Sequence, residues 1–339
     1  MTALFEVKNL TIDIPVPSGM LHAVRGISFE AVRGETLCIV GESGCGKSLT
    51  SLAMMDLLPT MAIRNAEKMT FQGQDMRSFS EHQMSDIRGS QMGMIFQEPM
   101  TSLNPSYSIG DQLTEMLIRH KNASRAEARE RAIYLLEKVG ITAAASRLNQ
   151  YPHQLSGGLR QRVMIAMMLM CDPALIIADE PTTALDVTIQ AQILLLLAEL
   201  QKEFDMGLIL ITHDLGVVAR VADRVAVMYA GEIVEAGTAE EIFNRPTHPY
   251  TQGLLDCIPI PGKTARGAKL GAIPGIVPSL VGVIEGCSFR ERCKYASVSC
   301  AKPGIELMPV SGIVEEHVTH DYRCVLSADQ CVENLAGSP

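Results

Sequence analysis

The sequence predicts an α/β fold, and three observations carry that prediction. An apolar run at 36–40 passes through a glycine-rich loop into residues 48–58, whose apolar spacing is helical. Three further apolar runs, 174–178, 207–211 and 224–228, alternate with helical segments, the pattern of a parallel sheet buried on both faces. Between these halves, residues 105–150 change to charged helices and form an insertion.

Taken in order, residues 5–10 and 27–32 alternate apolar and polar side chains and are separated by Pro15, Pro17 and Gly19. They read as short strands of a small antiparallel sheet. Residues 69–74 and 92–97 read as further strands, the second buried through Phe96. Within the insertion, Ser124-Arg125-Ala126-Glu127 is a capping-box start for a helix running towards Val139-Gly140. A helix is expected at 240–244. From 246 to 286, Pro259, Pro261, Pro274 and Pro278 argue against long helices and point to a linker and a small irregular domain. The expected division is a unit at 1–250, with its helical part at about 98–158, and a C-terminal extension at 251–339.

Composition narrows the classes. With 339 residues, 47% apolar and 20% charged, the chain can bury a sizeable core. A net charge of −9 argues against a broad nucleic-acid surface, which needs a positive field. The longest apolar run, 163–171, has nine residues and falls short of a membrane helix, and residues 1–6 lack the features of a signal peptide. The expectation is a cytosolic chain that works at a membrane only by docking to another protein. Its nine cysteines are then core residues or ligands before disulfides.

Gly41-Glu42-Ser43-Gly44-Cys45-Gly46-Lys47-Ser48 satisfies the phosphate-loop pattern G-x-x-x-x-G-K-[ST], with Leu49 continuing into the helix. Glycines let backbone N–H groups approach phosphates, and the helix N-terminus adds a positive dipole end. Lys47 is expected to reach the β- and γ-phosphates of a nucleotide, and the Ser48 hydroxyl to ligate Mg²⁺. Downstream, the 175–178 run ends in Asp179-Glu180. Asp179 is placed to hold Mg²⁺ through water and Glu180 to orient the attacking water. Leu155-Ser156-Gly157-Gly158-Leu159-Arg160-Gln161 is a second glycine turn opening a helix, hence a second anion site.

These motifs together resemble an ATP-binding cassette (ABC) ATPase subunit over residues 1 to about 250. The resemblance implies a P-loop NTPase with a RecA-like core, an antiparallel β subdomain and a helical subdomain. It also implies that two cassettes sandwich ATP, so Ser156, Gly157, Gly158 and Gln161 would cap ATP held by a partner's phosphate loop. By position, Gln97 resembles the loop glutamine that senses Mg²⁺ and the membrane subunits. Ala184-Leu185-Asp186 resembles the loop crossing the dimer interface, and His213 the γ-phosphate switch. The family usually stacks adenine on an aromatic residue, but 15–23 contains none, leaving His22 as a weak substitute.

Gln97-Glu98-Pro99-Met100-Thr101-Ser102-Leu103-Asn104-Pro105 and His248-Pro249-Tyr250-Thr251-Gln252-Gly253-Leu254-Leu255 resemble dipeptide/oligopeptide importer ATPases. Members of that branch pair with a second homologous ATPase, two transmembrane permease subunits and an extracytoplasmic solute-binding protein, at the cytoplasmic face of the membrane. No nucleic acid is implied. The first segment would contact a coupling helix of a permease. Relatives also import nickel, opines and glutathione. Two rival readings are a soluble ABC ATPase acting on DNA or ribosomes, and a regulatory module that binds ATP without hydrolysing it.

Cys287, Cys293, Cys300 and Cys324 have five, six and 23 residues between successive members, a spacing wider than usual for zinc. Arg290, Arg292, Lys294 and Arg323 are interleaved with them and would offset four thiolates around an iron–sulfur cluster. A four-iron ([4Fe–4S]) cluster is implied by resemblance to some members of the branch. Zinc and an unligated or disulfide-bonded set are the alternatives, and Cys331 is a possible substitute for Cys324.

Overall fold

The computed structural model describes residues 3–97, 102–182, 185–258, 271–310 and 319–331. Glu98 to Thr101 and Ala184 of the motifs quoted above, and Pro259 and Pro261 of the expected linker, lie outside them. Two sheets organise the fold. One is antiparallel, built from β1 (Ala3–Val16), β2 (Gly19–Val32), β4 (Ile63–Asn65), β5 (Lys68–Phe71) and β6 (Gln74–Asp75). β1 and β2 are twice the expected length and pass straight through Pro15, because register shifts along the pair absorb irregular positions such as Asn9.

The second sheet is mixed, in the order β12 (Met308–Pro309), β13 (Asp321–Tyr322), β11 (Glu232–Thr238), β10 (Arg224–Tyr229), β3 (Thr36–Val40), β9 (Gly207–Thr212), β8 (Leu175–Asp179) and β7 (Met92–Ile95). Its parallel part comprises β3, β7, β8, β9 and β10. Alternation explains its double burial. Cys38, Val40, Ile176, Ala178, Leu208 and Leu210 face a helical core, whereas Leu37, Ile39, Leu175, Ile177, Ile209 and Ile211 face a core shared with the antiparallel sheet. Burial stops at Ile95: Phe96, expected inside, is exposed because the strand has ended and the chain turns out to Gln97.

Helix α1 (Lys47–Met54) follows β3, and α2 (Glu81–Ile87) precedes β7. The insertion holds α3 (Ile109–Lys121), α4 (Arg125–Lys138) and α5 (Ala144–Arg147), followed by α6 (Gly157–Met168). The capping box forms as expected, with Ser124 and Glu127 satisfying each other's backbone N–H, a device contributing about 1 kcal/mol. Next come α7 (Val187–Glu203) and α8 (Leu215–Val221), then β11 (Glu232–Thr238) and α9 (Ala239–Asn244).

The described residues between 246 and 286 are more regular than their prolines suggested. α10 (Pro249–Asp256) begins there, with His248 as N-cap and proline at its first turn, where a missing N–H does no harm. Tyr250 is fully buried, and the short strands β12 (Met308–Pro309) and β13 (Asp321–Tyr322) extend the mixed sheet beyond β11. The buried Glu235 carboxylate accepts the Thr247 and His248 N–H groups at 2.6 and 2.9 Å and contacts His320 Nε2 at 2.8 Å. The segment is thereby tied to β11.

Burial pushes the His248 imidazole from its ordinary value of 6.5 down to about 3, and its Nδ1 accepts the Tyr250 N–H. A depressed histidine stabilises the fold fully above about pH 6.5 and loses that contribution as pH falls towards 3, because the unfolded chain takes up the proton first. We expect the melting temperature to fall more steeply between pH 7 and pH 5 in the wild type than in His248→Asn, which keeps an N-cap acceptor but cannot titrate. Equal slopes would remove His248 from this role.

Candidate active site

Parallel register brings the functional strand ends to one edge. Val40 of β3 lies beside Thr212 of β9, Ile211 beside Asp179 of β8, and Ala178 beside Ile95 of β7. The residues that follow each strand therefore emerge together: the 41–46 loop, His213, Glu180 and Gln97. This is the carboxyl edge at which open α/β sheets place ligands.

The loop can close tightly only because of its glycines. A Cβ on Gly41 would lie 2.1 Å from the Met228 carbonyl oxygen. Gly46, at φ 103°, would place one 2.5 Å from the Ala23 oxygen. Lys47 is buried, and its Nζ donates to the carbonyl oxygens of Gly41 and Glu42 at 2.9 and 3.0 Å. Ser48 Oγ donates to Asp179 Oδ1 at 3.0 Å, and Ser51 Oγ to Oδ2 at 3.1 Å. Burial pushes the Asp179 carboxyl up, and the two hydroxyls oppose that shift by favouring its charged form. Ser51 lies outside the phosphate-loop pattern but stands one turn after Ser48, on the same face of α1.

Glu180 has a left-handed backbone, φ 43°, a conformation that costs a non-glycine residue about 1 kcal/mol. Its N–H is held by the Ile211 carbonyl at 2.9 Å. Gln97 Nε2 donates to Glu180 Oε2 at 3.2 Å, and His213 Nδ1 stands 3.6 Å from the same oxygen. A cleft of about 690 Å³ is lined by Ser43, Gly44, Gly46, Lys47, Ser48, Leu49, Gln97, Glu180 and His213, with Leu21, Ala23 and Leu280 on its apolar side. A larger groove of about 760 Å³ on the helical layer, between Tyr107 and Asn149, contains none of these groups, so chemistry rather than volume singles out the site.

His22 does not line the cleft. Strand alternation turns Leu21 and Ala23 towards it and His22 the other way, where Nδ1 lies 2.6 Å from Asp13 Oδ1. Leu280 reaches the cleft from the C-terminal region, anchored by its carbonyl on the His22 N–H at 2.9 Å.

The second glycine turn is absent from the cleft lining. Ser156 caps α6, its Oγ accepting the Leu159 N–H at 3.4 Å, with Gly157 and Gly158 in the first turn. Gln161 is fully buried, and its side-chain amide makes no hydrogen bond among the described residues. Asp186 is exposed at the N-cap of α7 and makes no capping bond.

Residues 24–183 match the family model for ABC transporters, and 234–300 match that for the oligopeptide/dipeptide transporter C-terminal region. The chain belongs to the ABC transporter family. Within it, the chain falls among the ATP-binding subunits of dipeptide and oligopeptide importers. It is 51% identical to the dipeptide transport ATP-binding protein DppD of Bacillus subtilis, over 88% of this chain and 89% of that one. Identity to the oligopeptide transport ATP-binding protein OppD is 53% in Bacillus subtilis (87% and 83% of the two chains) and 49% in Escherichia coli (88% of each). Among solved structures, the ATP-binding cassette MJ0796, in a dimeric post-hydrolysis state bound to ADP and Pi, superposes with a TM-score of 0.61 at 27% identity. That match covers 69% of this chain and 98% of that one. CbiO1 of Clostridium perfringens gives 0.61 at 30% identity, over 72% and 92%.

In the C-terminal region of this cassette, Cys287, Cys293, Cys300 and Cys324 line one small apolar cavity with His248, Phe289 and Tyr295. Each sulfur faces backbone N–H donors: Phe289 for Cys287, Tyr295 for Cys293, Ser297 for Cys300, and Leu326 and Val325 for Cys324. Burial pushes the Cys287 thiol up to about 11 and raises Cys293, while a hydrogen bond from Cys331 lowers Cys324. Among the described residues, however, no three His, Cys, Asp or Glu side chains stand where they would hold a metal ion.

The expected cationic shell is thinner than its spacing suggested. Only Arg290 of the four lines the cavity, since Arg292 turns away to Glu42 and Arg323 bonds the Ile233 and Ile305 carbonyls near Glu232.

Gly46→Ala forces backbone apart at the phosphate loop. We expect ATP affinity to fall roughly tenfold or more, measured by titration with a fluorescent ATP analogue, while circular dichroism stays native. Unchanged affinity would contradict the tight-loop geometry.

Proposed function

We propose that this cassette is the ATP-hydrolysing subunit of an importer for peptides or a related small solute. The observation that carries the reading is the convergence of Gln97 and His213 on the Glu180 carboxylate, above the Ser48–Asp179 pair and beside Lys47. Glu180 orients and polarises the attacking water, Gln97 and His213 hold its carboxylate, and Lys47 faces the β- and γ-phosphates. The hydroxyl of Ser48 and the carboxylate of Asp179 are hard oxygen donors, which fits Mg²⁺. When bound, that ion neutralises charge developing on the phosphates.

The Ser156–Gly158 turn, which does not line the chain's own cleft, is assigned to ATP on a second, homologous cassette, with Gln161 and Asp186 supporting that interface. Closure of the pair around ATP moves two membrane permease subunits, and an extracytoplasmic binding protein selects the solute. The subunit then sits at the cytoplasmic face of the membrane, consistent with the lack of any helix long and apolar enough to cross it among the described residues. The relatives carry peptide transport in their names, which is the ground for proposing peptides here. For Cys287, Cys293, Cys300 and Cys324 we propose a [4Fe–4S] cluster, supported by their shared apolar cavity and the N–H groups aimed at their sulfurs; each thiolate would take a different iron, so the four need not converge on the position of a single ion. Such a cluster would cross-link 287–300 to 324.

Glu180→Gln is expected to keep ATP affinity and lower phosphate release about 100-fold or more, the scale of a positioned base. Turnover equal to wild type would remove Glu180 from its role. For the cluster, anaerobically purified protein should contain iron and absorb in the visible range, with both lost in Cys293→Ser. Colourless, iron-free wild-type protein would reject it.

A further inference from the structure

One charge pair connects the C-terminal region to the phosphate loop. Arg292 Nη1 and Nη2 donate to Glu42 Oε2 and Oε1 at 2.5 and 3.0 Å, a bidentate contact between residues 250 positions apart. The Arg292 side chain is only 4% exposed. Its other donors go to the Pro274 and Ile273 carbonyl oxygens at 3.0 and 3.3 Å and to Tyr229 Oη at 3.5 Å, and its guanidinium lies 5.8 Å from the Tyr229 ring centre and 6.0 Å from that of Phe289. From the same side, Tyr250 Oη accepts the Glu42 N–H at 3.0 Å. Glu42 is thus held at both its backbone and its carboxylate by residues that follow the ATP-binding motifs by more than 30 positions.

We infer that Arg292 is a positioning residue for ATP: through Glu42 it holds the 41–46 loop in its phosphate-receiving shape, and ATP in turn orders the cysteine-bearing 287–293 turn. Arg292 touches no substrate in this scheme; it acts through the loop whose carbonyls also receive Lys47. Coupling of this kind is reciprocal. Whatever stabilises the turn tightens ATP binding by the same factor that ATP stabilises the turn. The inference rests on reading the 41–48 loop as the ATP site.

The test uses the full-length protein. Arg292→Ala should raise KM for ATP about tenfold, within the usual range of coupling between sites, and change kcat much less. Arg292→Lys, which keeps charge without the fork, should recover part of the loss. A merely structural arginine would lower the melting temperature and leave KM alone, and that result overturns the inference. In case Arg292→Ala does not fold, hydrogen exchange of the wild type decides: amides of 286–293 should exchange more slowly with a non-hydrolysable ATP analogue than without it. Unchanged exchange in nucleotide-saturated protein overturns the inference while leaving the ATP site intact. Wild-type protein that bound no nucleotide at all would overturn the loop reading itself, and this proposal with it.

Discussion

The parallel register of β3, β8 and β9 is the constraint on which the site depends. Strands buried on both faces cannot shift by one residue without turning their side chains into the wrong core, so their carboxyl ends are fixed relative to one another. That alignment puts a lysine, two carboxylates, a histidine and an amide on one edge, although they come from positions between 47 and 213. Burial does the rest. With Asp179 and Lys47 largely withdrawn from water, each must be satisfied by protein groups, and the hydroxyls of α1 and the loop carbonyls supply them.

Much of this was legible because the chemistry is local in sequence. The glycine loop, the run ending in Asp179-Glu180 and the strand before His213 each carry their context within a few residues. What was hidden is non-local or depends on a face. Which side of β2 faces the cleft is a question of alternation, and it replaces His22 with Leu21 and Ala23. Nothing in the neighbourhood of Arg292 says that its partner is Glu42 rather than the cysteines it sits among. The length of β1 and β2 was concealed by shifts of register that short alternating windows do not detect.

The C-terminal region is the clearest case. Its prolines argued against long helices, yet proline at the first turn of α10 starts a helix, and the buried Glu235 pins that helix by accepting two of the backbone N–H groups at its entry. From there Leu280 meets the apolar side of the cleft, and Arg25 on β2 reaches Ser288 and the Ile284 carbonyl. The described residues at 280–288 are therefore packed against the cleft side of the cassette.

The strands β12 and β13 have a quieter consequence. They finish one margin of the mixed sheet with a strand of two residues, one of them Pro309, which lacks the donor that a neighbouring chain would need. A long bare margin invites strangers to add on; a stub ending in proline does not. Among the described residues, that margin therefore offers a second chain almost nothing to pair with.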